Sequence, residues 1–350
     1  MSKNIELPIP PHFDPERVDK VWKVEYQKLA DYSSGWRTEH GIKPFYDDEY
    51  RTCLILVDVQ NTFCTPGFEL FVGGRSGKAA VEDNKRLCSF IYRNLNRITH
   101  IMSTMDTHQL IQIFHSIFFI DDDGNNPGPL TIIKQEDIKN GRWKLNQEIV
   151  SALGYSADYL RGYIRHYTGE LSSESKYDLM IWPYHAMLGG IGHALVSSVE
   201  ESLVFHALCR FNQTEFQIKG DNPVTEHYSA LRPEVTEDQN FKPLITREEG
   251  VFRTPLTAES IYEKIRNYDL IIIAGQAKSH CVSWTIDDII KYVPDKEKEL
   301  LKKIYVLEDC TSPVVVPDVV DYTQESEKAF SRFSDAGINI VDSKKRIDQW

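Results

Sequence analysis

Four aliphatic runs in this chain are each followed at once by a side chain suited to acid–base or nucleophilic work. "LILV" leads to Asp58, "HIMSTM" to Asp106 and His108, "FQI" to Lys219, and "LIIIAG" through the turn "QAKSH" to Cys281. A carboxylate, an ammonium and a thiol are the set required for acyl transfer through a cysteine. A free thiol with a pKa near about 8.5 is mostly protonated at neutral pH, and a helix N-terminus or a nearby lysine lowers that value. Cys281 is expected to have both. Asp58 would accept the thiol proton and deliver it to a leaving amine, while Lys219 would hold the carboxylate and the developing negative charge in place. Backbone amides around Ala277 and Cys281 would hold an oxyanion. Taken singly, an aspartate at a strand end is a turn former or helix cap and a cysteine a small buried hydrophobe. Three complementary groups at three strand ends make the chemical reading the stronger one.

The elements that must position these groups are legible in the same runs. "CLILVDV", "RITHIMSTM", "EFQIK", "LIIIAG", "KIYVLED" and "INIVD" read as strands, with helical patterns such as "AAVEDNKRLCSFIYRNLNRI" and "HALVSSVEESLVFHALCRF" between them. Continuous apolar runs predict strands buried on both faces. Alternation of strand and helix predicts an α/β fold, a doubly wound, Rossmann-like parallel sheet of about six strands with helices on both faces. In such a sheet ligands sit beyond the carboxyl ends of the strands, where the four polar positions fall. Residues 1–50 are expected to form an N-terminal extension packed on a main domain of 51–350. Its helical candidate, "PERVDKVWKVEYQKLADYSS", carries Val18, Val21, Trp22, Tyr26 and Leu29 at helix spacing. Two insertions, at about 120–180 and 232–262, interrupt the rhythm near the mouth of the sheet. Segments of that length carry their own structure or serve as lids.

The chain has 350 residues and a formal charge of −12. That balance argues against nucleic acid, whose phosphates call for clustered Lys and Arg. No 18-residue apolar run is present, and the N-terminal stretch lacks the apolar segment of a secretory signal. The expectation is a cytoplasmic protein with no membrane partner, its oligomeric state open to homo-oligomerisation. Six cysteines occur without a C-x-x-C pair, which excludes a thiolate zinc site or redox dithiol of that spacing.

The segments "LILVDVQNTF", "FQIKGDNPVTEHYSAL" and "IIIAGQAKSHCVSWTIDD" resemble the isochorismatase-like cysteine hydrolases. That resemblance implies a catalytic triad of Asp58, Lys219 and Cys281. It also implies an oxyanion turn at Ala277 and Cys281, with a non-proline cis peptide between Gln276 and Ala277. "MDTH" and "WPYHAMLGG" are similar to the D-x-H and W-P-x-H motifs of the nicotinamidase branch, which implies a divalent metal ion, zinc for preference, on Asp106, His108 and His185. Residues i and i+2 of extended backbone share a side, so Asp106 and His108 can meet one ion. His115 in "FHSIFF" could add a ligand or contact a bound water, but local packing or capping is the expectation for it. Phe63, Trp182 and Tyr228 fall where the branch places the aromatics of its substrate slot, which suits a small neutral amide.

The resemblance implies cleavage of a small planar carboxamide, nicotinamide first, to nicotinate and ammonia, a step of NAD metabolism, through a thioester on Cys281. The chain departs from the pattern in places. The turn reads Ala277-Lys278-Ser279-His280-Cys281 where the common form is A-T-D-x-C, bringing a positive charge and an imidazole into it. Ala186 stands where a cysteine often follows the W-P-x-H histidine. A related cysteine hydrolase for another amide or carbamoyl substrate, and a non-catalytic ligand sensor on the same scaffold, are the alternatives.

Overall fold

The computed structural model describes residues 6–173, 176–244 and 258–350. Six strands form the central sheet: β1 (Thr52–Val57), β2 (Ile98–Asp106), β3 (Glu215–Lys219), β4 (Leu270–Gly275), β5 (Ile304–Leu307) and β6 (Asn339–Val341). They correspond to the six runs picked out from the sequence. All neighbouring pairs are parallel, and the order is β6-β5-β4-β1-β2-β3. Read from the other edge this is 3-2-1-4-5-6, with the reversal of winding between β1 and β4. Asp58 follows β1 and Cys281 lies beyond β4, so two of the predicted groups flank the switch point.

The longer helices among the described residues are α1 (Tyr26–Glu39), α2 (Ala79–Arg93), α3 (Ala157–Ser173), α4 (Ser197–Arg210), α5 (Ala258–Asn267), α6 (Cys281–Tyr292) and α7 (Thr323–Asp335). Successive β1 side chains point to opposite faces and so join two different cores. Leu54 and Leu56 pack with Leu29 and Trp36 of α1, Leu87 and Ile91 of α2, and Val199 and Leu203 of α4. Cys53, Ile55 and Val57 pack with Ile265 of α5, Ile286 and Ile289 of α6, and Phe330 and Phe333 of α7. Both layers of the doubly wound arrangement are therefore present.

A third core gathers Phe114, Phe118, Leu160, Ile164, Tyr167, Trp182, Val224 and Tyr228. It is built on α3 and on two short antiparallel pairings, Phe119–Ile120 with Lys144–Leu145 and Ile132–Ile133 with Leu179–Met180. The stretch at 120–180 thus carries its own structure. Of the stretch at 232–262, residues 245–257 lie outside the described residues.

The N-terminal segment corrects one expectation. The helix read over 15–34 is instead a 3-10 turn at Pro15–Arg17, an irregular stretch, and then α1, which runs on to Glu39. Tertiary contacts compete with the helical period here. The Trp22 amide donates to Ser197 Oγ at 2.9 Å, and the Arg17 guanidinium lies 3.9 Å over the Trp22 ring. Val18 and Val24 enter the core from this irregular backbone, while Val21 and Tyr26 are exposed.

Candidate active site

The parallel register aligns the strand ends. Asp106 is level with Lys219 in the β2–β3 pair, and Val57 with Gly275 in the β1–β4 pair. Asp58 then turns out of β1 with φ +48°, a left-handed conformation that aspartate tolerates better than most residues. Gly275 leaves β4 at φ +119°, where a Cβ would lie 2.1 Å from the Val57 carbonyl; only glycine fits. The Gln276–Ala277 peptide that follows is cis.

Lys219 is the hub. Its Nζ lies 2.9 Å from Asp58 Oδ2, 2.9 Å from Asp106 Oδ1 and 3.4 Å from Cys281 Sγ, and it donates to the His227 carbonyl at 2.9 Å. Thr104 Oγ1 donates to Asp58 Oδ1 at 2.6 Å, fixing the carboxylate from the far side. Asp58 is 0% exposed and Cys281 7%. Burial works against the charge on Lys219, but Asp106 and Asp58 outweigh it and hold the side chain as ammonium. Burial likewise pushes the Asp58 carboxyl up, with Lys219 pulling it back.

For Cys281 the structure corrects the sequence argument. Burial raises its thiol well above the ordinary value, and Asp58 and Asp106 add to that, so the opposing effect of Lys219 does not prevail. Burial thus favours the neutral thiol in the resting site. Cys281 opens α6, and the amides of Ala277 and Cys281 take no acceptor among the described residues, whereas those of Lys278, His280 and Val282 do. The Ser279 amide is free in the same way, and unpaired amides in the turn that carries the sulfur are what an oxyanion hole requires.

Next to Lys219 lies a histidine group. The Nε2 of His108 is 3.1 Å from Asp106 Oδ1, and that of His185 is 3.9 Å from Asp106 Oδ2. His115 joins them: ligand atoms of His108, His115 and His185 lie within 4.8 Å of one another. Its placement departs from the local packing role expected of it. The cause is a pairing between two distant segments, in which the Trp182 amide donates to Phe114 O and the His108 amide to Ala186 O. This pairing lays 107–115 alongside 182–188.

In each ring Nδ1 is engaged by a backbone carbonyl, of His185 for His108 (3.1 Å), of Leu110 for His115 (3.1 Å) and of Pro183 for His185 (2.7 Å). That interaction leaves the Nε2 lone pairs directed inward, the usual way a protein orients imidazole ligands. His115 Nε2 is buried without a partner, and burial, reinforced by His108, lowers the pKa of His115 to about 4. Three imidazoles beside a carboxylate fit a divalent cation of the zinc type. Gly220 backs the group at φ +83°, where a Cβ would meet Asp106 Oδ1 at 2.7 Å.

A cavity of about 60 Å³ connects these parts and is lined by Phe63, Trp182, Tyr228, Asp106, His108, His185, Ala277 and Cys281. At about 15 Å³ per water position it admits roughly four waters, so it suits a small ligand. Every residue proposed from sequence as an aromatic wall lines it. Trp182 and Tyr228 belong to the third core, while Phe63 and Cys281 belong to the sheet layers.

Sequence reasoning missed Glu226, His227 and His280, which also line the cavity. Trp182 Nε1 donates to Glu226 Oε1 at 2.8 Å and approaches the Tyr228 hydroxyl at 3.2 Å. A charged residue two positions before the aromatic Tyr228 was the available signal. Lys278, by contrast, turns away from the cavity into ion pairs with Glu308 (3.0 Å) and Glu327 (3.1 Å).

No family model matches the chain, and no curated protein matches it. Among solved structures it is similar to an Acinetobacter baumanii nicotinamidase/pyrazinamidase, at 17% identity over 84% of this chain and 96% of that one, with a TM-score of 0.48. It is also similar to the yeast nicotinamidase Pnc1p bound to the inhibitor nicotinaldehyde, at 19% identity over 83% of this chain and 99% of that one, TM-score 0.48. A third is the pyrazinamidase of Pyrococcus horikoshii in complex with zinc, at 16% identity over 83% and 98%, TM-score 0.41.

Proposed function

We propose that this chain is an isochorismatase-like cysteine amidohydrolase of the nicotinamidase branch, cleaving a small planar carboxamide to its carboxylate and ammonia, with nicotinamide as the first substrate to test. The observation that carries the reading is the approach of Lys219 to Asp58 (2.9 Å), Asp106 (2.9 Å) and Cys281 (3.4 Å), with Asp106 and Cys281 opening onto the small cavity. A binding module needs neither a thiol nor a proton acceptor beside it, which disfavours the sensor alternative.

In the proposed reaction Cys281 Sγ bonds to the amide carbon as its proton passes to the Asp58 carboxylate. Burial suits Asp58 to the task, because a carboxyl pushed up is a better proton acceptor. The amides of Ala277 and Cys281 receive the carbonyl oxygen as it becomes negative. Asp58 then returns the proton to the amide nitrogen, the C–N bond breaks, ammonia leaves and a thioester remains. A water adds to the thioester while Asp58 takes its proton. The acid leaves as that proton returns to the sulfur. Lys219 stays charged throughout and keeps Asp58 and Asp106 in position.

Phe63, Trp182 and Tyr228 would hold the flat ring and exclude water. Asp106, His108, His115 and His185 would hold a divalent ion, which when bound supplies Lewis acidity toward a ring nitrogen or a water. The six cysteines, all unpaired and buried, suit a reducing compartment such as the cytoplasm.

The test is ammonia release from nicotinamide, pyrazinecarboxamide, benzamide and aliphatic amides. Turnover of the planar ring amides in preference to the aliphatic ones is expected. No release from any amide would defeat the assignment. Metal content gives an independent check: about one divalent ion per chain is expected, falling by tenfold or more in affinity in His108→Ala and in His115→Ala. A His115→Ala variant that keeps full metal affinity would return His115 to a packing role.

A further inference from the structure

The proposed reaction occupies one end of the cavity and leaves a polar group in the cavity wall unused. His280 is 3% exposed and lines the cavity, and its Nε2 has no hydrogen-bond partner. Its ring stands among Tyr322, Tyr177, Tyr228 and Trp182, at centroid distances of 4.7, 5.1, 5.1 and 5.8 Å. Apolar ring surface surrounds it. Glu226 ties down the Trp182 indole, so this part of the wall is fixed in orientation.

The hydrogen on the imidazole follows from its other nitrogen. Nδ1 is 2.9 Å from Ser279 Oγ, and the Val314 amide already donates to that oxygen at 3.0 Å. Among the described residues Nδ1 is the one acceptor beside that hydroxyl, so the hydroxyl proton goes to Nδ1. Burial lowers the pKa of His280 to about 3, so the ring is neutral, and a neutral ring that accepts at Nδ1 carries its hydrogen on Nε2. A buried N–H without an acceptor is costly, and a ligand that supplies the acceptor gains the difference.

We propose that His280 Nε2–H is a specificity-determining donor that binds an oxygen on the substrate ring, making hydroxylated or oxo-substituted planar carboxamides the preferred substrates over the bare ring. The proposal rests on the amidase reading for the placement of the carboxamide at Cys281. The alternative role for the imidazole is packing against the four aromatic rings.

Binding separates the two roles, and it can be read without turnover. Calorimetry on the full-length Cys281→Ala protein would compare nicotinamide and benzamide with their ring-hydroxylated isomers. At least one isomer is expected to bind about tenfold or more tightly than its bare parent. In a His280→Phe background that ratio should fall to near one, and His280→Gln, which keeps an N–H donor, should retain part of it. The proposal is overturned if no isomer exceeds its parent, or if the ratio survives in His280→Phe. Failure of the amidase reading is distinguishable, since it shows as absent ammonia release by the unmodified chain whatever the binding ratios are.

Discussion

Cys281→Ala reduces ammonia release by about 10⁴-fold or more, a magnitude typical of removing a nucleophile from a cooperating set, while the protein stays folded. The sulfur is the atom that bonds to the amide carbon in the proposed reaction, and none of its neighbours can replace it. Lys219 is held as an ammonium by two carboxylates, and Asp58 is wholly buried and ion-paired. The cost to stability is small because the Cβ remains and a single buried atom is lost, about 1 kcal/mol by the usual deletion of one buried group. Intact-mass measurement during turnover adds a second readout: the unmodified chain should carry the acyl group of the substrate and the alanine variant none. An alanine variant with undiminished release would remove Cys281 from the mechanism.

Lys219→Met has the largest expected effect on the fold itself. Asp58 and Asp106 lie at 0% and 5% exposure with the same ammonium 2.9 Å from each. Taking that charge away leaves Asp58 buried with only the Thr104 hydroxyl and Asp106 with only its histidines, and breaking a buried pair in this way costs about 3–5 kcal/mol. Chemical denaturation monitored by circular dichroism should show that loss. The charge argument makes a further demand. Adding Asp58→Asn to Lys219→Met removes one of the stranded carboxylates, so the double variant should be more stable than the single one. If the single variant is as stable as the unmodified chain, or the second substitution only subtracts, then the cluster is not held together by charge.

Legibility in the sequence differed from residue to residue. The inner strands were visible because an aliphatic run such as 54–57 or 270–273 has no other stable environment than a sheet covered on both faces. Asp58, Asp106 and Lys219 were visible because each closes or directly follows such a run, and Cys281 because one turn separates it from its own, and a parallel sheet collects its strand ends on one side. The helix read over 15–34 failed because Ser197 and Arg17 offer Trp22 contacts that no local period reports. His115 was read as packing ahead of ligation because its approach to His108 and His185 depends on pairing between residues about seventy positions apart. His280 was visible as an imidazole in the nucleophile turn, but that it lines the cavity was decided by the fold.

The order of residues by itself determined the layered α/β architecture and which side chains arrive at its ligand-binding edge, since period and strand polarity are local properties of the chain. Distances, protonation and pocket shape were decided only in the folded molecule. The Cys281 thiol illustrates the difference. A helix start and a nearby lysine are readable in sequence and favour the thiolate, but burial depends on the whole surrounding structure, and burial prevails.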